Sequence, residues 1–325
     1  MNRIVLHCAA LCTAVAALGD PAAAGGFDPS RVFGDARLVV HVDVEALRGS
    51  QLLKAIGTEP IRESLELDEL ERTLERELRE AGLEPFEGSL ATSVIEGVSA
   101  VTVACRSVED TRGVWIVSAD SSLDPLFALA LRHPSHRSLS EDGLEVHTWT
   151  GGCAEELALY ASKRGDERIY VFASDREELL HGVRALIGQE SSAAGGAAVL
   201  SRRPRPGAFL FVEAAEVPWL SGYPSAHAAR DLAQGLSLEV GESASELYAV
   251  ATVQSASPED ALDLSAVLDG VRAFARLACG QEGAPPAARQ WLDALNVNIL
   301  GSAVEVELRY ELQRLTEDLR RSEYY

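Results

Sequence analysis

Lysine is almost missing from this chain: Lys54 and Lys163 are the only two, and asparagine stands only at positions 2, 296 and 298. The basic residues are therefore nearly all arginine, which speaks of a GC-rich genome and not of function. Positive charge is scarce altogether, with 29 Lys and Arg against 50 Asp and Glu and a formal net charge of -21. Nucleic-acid affinity rests on neutralising phosphates with clustered Lys and Arg, so a surface this acidic argues against nucleic acid as a partner. Common catalytic signatures are missing as well: there is no G-x-S-x-G elbow, no H-E-x-x-H, no glycine-rich phosphate loop, no C-x-x-C and no calcium-loop pattern. Carboxylates remain numerous enough for acid/base chemistry such as glycoside cleavage.

Long apolar runs are also lacking beyond the first residues. There Arg3 precedes an apolar stretch from Ile4 to Leu18, followed by Gly19-Asp20-Pro21 and Ala22-Ala23-Ala24. That is the layout of a secretory signal peptide, with small residues at −3 and −1 for cleavage after Ala24, leaving Gly25 as the mature N-terminus. The run is shorter than the roughly 20 residues a spanning helix needs, and a retained anchor is the rival reading. Leu11 stands before Cys12 where a lipid-attachment motif calls for Gly, Ala or Ser, which argues against lipidation. The expected protein is exported, periplasmic or extracellular, with no membrane span in the mature chain.

Cysteine is sparse there too. Cys105, Cys153 and Cys279 form an odd set that leaves at least one thiol out of any disulfide. Cys105 follows Val101 and Val103 on one strand face and reads as a small buried hydrophobe, so Cys153 with Cys279 is the candidate pair.

What is present reads as alternating strands and capped helices. "RLVVHVDV" is a strand and "EALRGSQLLKAIG" a short helix. Thr58 to Ala81 predicts a long helix with Leu67, Leu70, Leu74 and Leu78 on one stripe, packed on the first sheet or docking another chain. A hairpin ("VSAVTVACRS", "GVWIVSAD") and a helix opened by Asp124-Pro125 follow. Three strands ("LEVHTWT", "LALYASK", "RIYVFAS") then lead to a helix with a capping box at Ser174 and Glu177, stopped by Gly188. Residues 188–207 read as a linker or long loop. Beyond it come the strand "AFLFVEA", the helix "SAHAARDLAQ", a hairpin ("LSLEVG", "SELYAVATVQS"), and a helix capped at Ser257-Pro258 that runs to Cys279. The helix "PAARQWLDALN" precedes "VNILGSAVEVELRYEL", whose Val304, Val306, Leu308 and Tyr310 alternate with Glu305, Glu307, Arg309 and Glu311, core on one side and water on the other.

The expected fold class is α+β, with mostly antiparallel sheets and helices packed on one face. Residues 1–24 are the signal peptide, 25–187 a first half, 188–207 the linker and 208–325 a second half. Both halves spell β-α-β-β-α-β-β-α, and "AVTV" at 100–103 echoes "AVATV" at 249–253. That suggests a degenerate internal duplication. The signal peptide, "ARLVVHVDVEALRGSQLLKAI" and the repeated hairpins together resemble uncharacterised secreted bacterial proteins of the DUF3352 type. The resemblance implies no activity and no site residues.

Candidate ligand-binding residues are few. His41 and Asp43 stand two apart on a strand and so share a face, where they could meet a common ligand, but no motif supplies further metal ligands; the bland reading is a polar strand side toward solvent. Arg202, Arg203 and Arg205 form the one dense basic cluster; they could hold a carboxylate, phosphate or polyanionic glycan, or simply pair with the protein's own glutamates. His133 and His136 sit in a Pro-Ser loop flanked by Arg132 and Arg137 and read as an exposed turn; His147 and His181 read as unremarkable. No metal or other cofactor is expected and no catalytic residue stands out, so the enzyme reading is open and the balance is against it. The expected function is a non-catalytic exported binding protein whose partner is a protein or envelope component. The alternatives are a hydrolase with a dispersed carboxylate site and a subunit of a cell-envelope complex.

Overall fold

The computed structural model describes residues 26–56, 96–107, 113–141, 143–150, 156–164, 167–194, 203–215, 232–279 and 286–322, with 72, 76, 79 and 80 singly between them. The expected helices Thr58–Ala81 and "SAHAARDLAQ" lie largely outside these residues. The described chain divides into two compact units, one of 26–36 with 41–194 and one of 37–40 with 203–322. Strand β1 (Leu38–Asp43) is thus shared out between them. The fold is α+β, and every strand ladder with a described register is antiparallel.

In the first unit β1 runs into α1 (Val44–Gly49) and α2 (Gln51–Ile56). The single helix expected here is split at Ser50, whose extended backbone ends α1 and whose hydroxyl accepts from the N–H of Leu53. The hairpin β2 (Val98–Cys105) and β3 (Val114–Ala119) follows, then α3 (Asp124–Leu131). Strands β4 (His136–Glu141), β5 (Leu144–Thr150), β6 (Glu156–Arg164) and β7 (Glu167–Ala173) lead to α4 (Arg176–Leu186). The strands run β2-β3-β7-β6-β5-β4 in space. The helices take both faces of this sheet, not one. Gly182 of α4 lies against Val114. Phe127 of α3 meets His147 and Tyr170, which the register sets on the opposite side. Leu179, Leu180, Val183 and Leu186 bury the expected stripe of α4. Its cap sits one residue later than expected: Asp175 accepts from the N–H groups of Glu177 and Glu178, because a carboxylate outbids a hydroxyl as an acceptor. Residues expected in the linker belong to this unit, since the N–H of Ala193 donates to Val32 and Phe33 bridges to Ser192.

The second unit carries β8 (Ala208–Ala214), the hairpin β9 (Ala233–Ser243) and β10 (Glu246–Ser255), α5 (Pro258–Ala278), α6 (Pro286–Ala294), the hairpin β11 (Leu295–Leu300) and β12 (Ala303–Glu311), and α7 (Leu312–Ser322). "VNILGSAVEVELRYEL" is therefore a hairpin turning at Gly301, whose φ is +65°, and not one strand. The spatial order β8-β9-β10-β12-β11 repeats the scheme of the first unit, where β3 is likewise followed in space by β7 and then β6. α5 starts as the sequence reads: the Ser257 hydroxyl accepts from the N–H of Asp260, Pro258 opens the first turn and Cys279 closes the last. Its Ala261 and Leu264 join Val304 in a core that Val253, Leu268 and Val297 edge.

Candidate functional site

His41 and Asp43 do share a face of β1, but it is the buried face: they are 4% and 6% exposed. This corrects the expectation of a solvent-facing pair. The His41 ring packs against Phe27 at 5.4 Å, and its Nδ1 lies 2.8 Å from the Thr102 hydroxyl on β2. Asp43 caps α1, accepting from the N–H of Ala46 at 2.8 Å. Burial pushes its carboxyl pKa up; the N–H groups of Ala46 and Glu45 and the charge of Arg48 pull the other way without cancelling it. Both side chains work within the fold.

Arg205 is likewise occupied. The loop ahead of β8 folds its guanidinium over the sheet, 3.0 Å from Glu305, 3.3 Å from Glu307 and 3.7 Å from Glu239. Glu239 and Glu307 both face Val250 across the ladders, and Glu305 stands opposite Thr252, so the three glutamates share one sheet face. That face is not in water, as the alternation implied: Glu239 and Glu305 are buried. The loop comes close because Gly241 has no side chain, and a Cβ there would sit 2.4 Å from the Gly207 carbonyl. Gly207 itself takes φ +84°. Of the expected basic cluster, Arg205 pairs with the protein's own glutamates, Arg203 is exposed and Arg202 lies outside the described residues.

Histidines that looked plain in the sequence are brought together. His136 opens β4 and is not in a loop, and its Nε2 lies 3.0 Å from Nδ1 of His147 on β5. Trp149 packs on both rings and donates its indole N–H to the Ala130 carbonyl of α3. At the other end of α3, Asp124 accepts from Arg168 at 3.0 Å and from the Tyr170 hydroxyl at 3.3 Å. Burial, with Asp124 adding to it, pushes the Tyr170 phenol up to about 12. Burial lowers the His147 pKa, Glu145 opposing. The cluster pins α3 to its sheet. His181 of α4 packs on Phe33 and pairs with Asp35 and Glu190.

Among the described residues no three His, Cys, Asp or Glu side chains are grouped to hold a metal. Cys105 is buried and Cys279 is a free thiol; Cys153, the other half of the expected pair, lies outside the described residues. No described helix is long and apolar enough to cross a membrane. A cleft of about 460 Å³ opens where α6, β12 and α7 meet, lined by Asp293, Glu311, Glu317 and Asp318 with Arg309 and Arg314. The Tyr310 hydroxyl bridges its wall, 2.7 Å from Asp318 and 3.0 Å from Gln290.

The outer side of α5 differs from all of these. Leu262, Val267, Val271, Phe274 and Leu277 are exposed, from 50% at Val267 to 74% at Leu277. At 100° per residue the last four fall in one arc beside the buried Ala261 and Leu264 and the partly buried Leu268. The third side is polar: Arg272 donates to the Leu295 carbonyl and Arg276 pairs with Asp293 at 2.8 Å. The charged flank therefore faces β11 and α6, and the apolar flank faces away from them. Sequence reading registered the cap and length of α5 but not this ridge. The signal was there, since the apolar positions from Ala261 to Leu277 cover more of the helix than one sheet contact can use.

No family model and no curated protein matches the chain. Two solved structures of TP0453 match it over most of both chains. Crystal form III shares 9% identity over 90% of this chain and 98% of that one, at a TM-score of 0.45. Crystal form I shares 10% over 91% and 97%, at 0.42. Likenesses this distant carry no argument about activity.

Proposed function

We propose that the protein is an exported, non-catalytic binding protein of the cell envelope that works through the apolar ridge of α5. The observation that carries this reading is the ridge itself. Its four large apolar side chains, Val267, Val271, Phe274 and Leu277, at the stated exposures amount to on the order of 400 Å², a patch of the size that on a monomer is often functional. The residues that looked like chemistry support it from the other side: His41, Asp43, Arg205 and the His136–His147 pair all make contacts within their own unit. The leader-like Met1–Ala24 is the ground for export. The shared strand order of the two units is the ground for reading them as repeats, and the DUF3352 resemblance stays a proposal on its motif. The hydrolase alternative would use the carboxylate-lined cleft beside Tyr310.

A hydrophobic dye tests the binding reading. The folded protein should either bind the dye or self-associate, and Val271→Glu with Phe274→Glu should abolish both while leaving the circular dichroism unchanged. A folded wild type that does neither overturns it.

A further inference from the structure

We infer that His136 and His147 form a proton-operated latch on α3: the helix stays docked on its sheet while the pair holds at most one proton beyond its neutral form, and lets go in mildly acid solution when both imidazoles are charged. The device belongs to the first unit and is independent of the ridge of α5. Its basis is the 3.0 Å contact between Nε2 of His136 and Nδ1 of His147. At that distance one nitrogen donates and the other accepts, so the contact holds one proton and one lone pair. A first added proton goes to an outer ring nitrogen and leaves the contact whole, now assisted by charge. A second has only the lone pair of the contact left to take. Two N–H groups and two positive charges then oppose each other, and His147, at 7% exposure, has little water to screen them. The rings must part.

What parts with them is the far end of α3. Phe127 packs on the His147 ring at 5.5 Å and on Tyr170 at 5.6 Å. Trp149, which lies against both histidine rings, donates its indole N–H to the Ala130 carbonyl at 2.9 Å. The first of these holds rests on a member of the pair and the second on the ring packed against it. Asp124, in the first turn, is held separately by Arg168 and Tyr170. Loss of the histidine contact therefore opens Phe127 and Trp149 to water while the ion pair keeps the helix tethered.

The surroundings fix the direction of the response. Burial first, and the second imidazole after it, work against charge on His147, while Glu145 of β5 favours it. Glu145 is itself engaged by the Ser138 hydroxyl of β4 at 2.9 Å. His133, ahead of β4, is taken up by Ser135, and Arg168 and Tyr170 of β7 turn to Asp124. Register sets Leu157 and Leu159 of β6 opposite Trp149 and His147, and Arg137 opposite Thr148, which alternation places on the other side of the sheet. The docked pair takes its last proton at a lower pH than the histidines of a released chain, near 6.5, so docking is lost as pH falls through that window.

Hydrogen exchange read by mass spectrometry on the purified full chain tests the latch, with α4 of the same unit as the reference that cancels the intrinsic pH dependence of exchange. Between about pH 7.5 and about pH 5 the protection of α3 relative to α4 should fall about tenfold or more, the shift that one pKa unit between docked and released forms produces. His136→Gln keeps a group that can donate or accept at the contact but cannot take the second proton, so its α3 should stay protected in acid. Glu145→Gln keeps an acceptor for Ser138 and removes the charge that favours protonation of His147, so release should move to lower pH. A relative protection that does not change, whether both helices hold or both fail, overturns the latch. A loss that His136→Gln does not prevent puts the trigger at the Asp124 end of the helix or in the fold at large, and overturns it as well. Release at the same or a higher pH in Glu145→Gln does the same.

Discussion

Replacing Arg205 by glutamine removes the cation that three glutamates share. Their side chains are nearly closed to water, at 4% exposure for Glu239, 11% for Glu305 and 17% for Glu307, while Arg205 itself is 36% exposed. Removing one partner of a fully buried ion pair costs about 3 to 5 kcal/mol, mostly for the charge left behind. Two features reduce that figure here. The exposed guanidinium is partly screened, and Glu307 keeps Arg309 at 2.9 Å. About 2 kcal/mol should remain, chiefly for Glu239 and Glu305. Urea unfolding followed by circular dichroism should show a lower midpoint with an unchanged slope. Arg203→Gln, two residues away and exposed, is the control and should stay within about 0.5 kcal/mol. A loss below that for Arg205→Gln would refute the account of this face.

Asp43→Ala should cost about 1 kcal/mol for the lost cap of α1, whereas Asp43→Asn keeps an acceptor and should cost less. Because burial raises the Asp43 pKa above its unfolded value, the folded state holds this proton more tightly; the group's contribution to stability falls as pH rises through that window and is relieved in acid. For His147 the folded pKa is lowered, so the unfolded chain takes up the proton first and stability is lost as pH falls through about 6.5. His147→Phe should flatten that loss between neutral and mildly acid pH in denaturation curves. Gly182→Ala should destabilise, although alanine is the better helix former, because its Cβ would come within 2.6 Å of Val114; a neutral or stabilising effect in thermal melts would show that α4 does not sit so close to β3.

Much of the fold was legible because its signals are local. Alternation marked β1, β7, β8, β9 and β10, and Ser257-Pro258 marked the start of α5. The errors came where distant contacts decide. His136 was read as loop because Pro134 and Ser135 precede it, yet pairing with Trp149 makes it the first residue of β4. Glu305 and Glu307 alternate as water-facing residues should, and only the arrival of Arg205 from about 100 positions away takes them out of water. α7 went unread because a strand pattern runs into it at Glu311 without a stop signal. The site followed the same rule: single residues such as His41 could be singled out, but their burial and their partner Thr102, 61 positions on, could not.

The division of β1 has a consequence for the order in which the chain can fold. Arg37 to Val40 belong with the second unit, and the N–H of Ala215 donates to the Arg37 carbonyl at 2.7 Å. Yet these residues leave the ribosome before residues 41–194, the greater part of the first unit. The second unit therefore cannot be completed by its own continuous stretch of chain. A fragment beginning at Arg203 would lack a piece that its compact form contains, and a single cut between 194 and 203 would leave that piece attached to the other fragment. Vectorial emergence makes the first unit free to close early and obliges Arg37 to Val40 to wait, a long-range closure of the kind that slows folding more than it weakens the folded state.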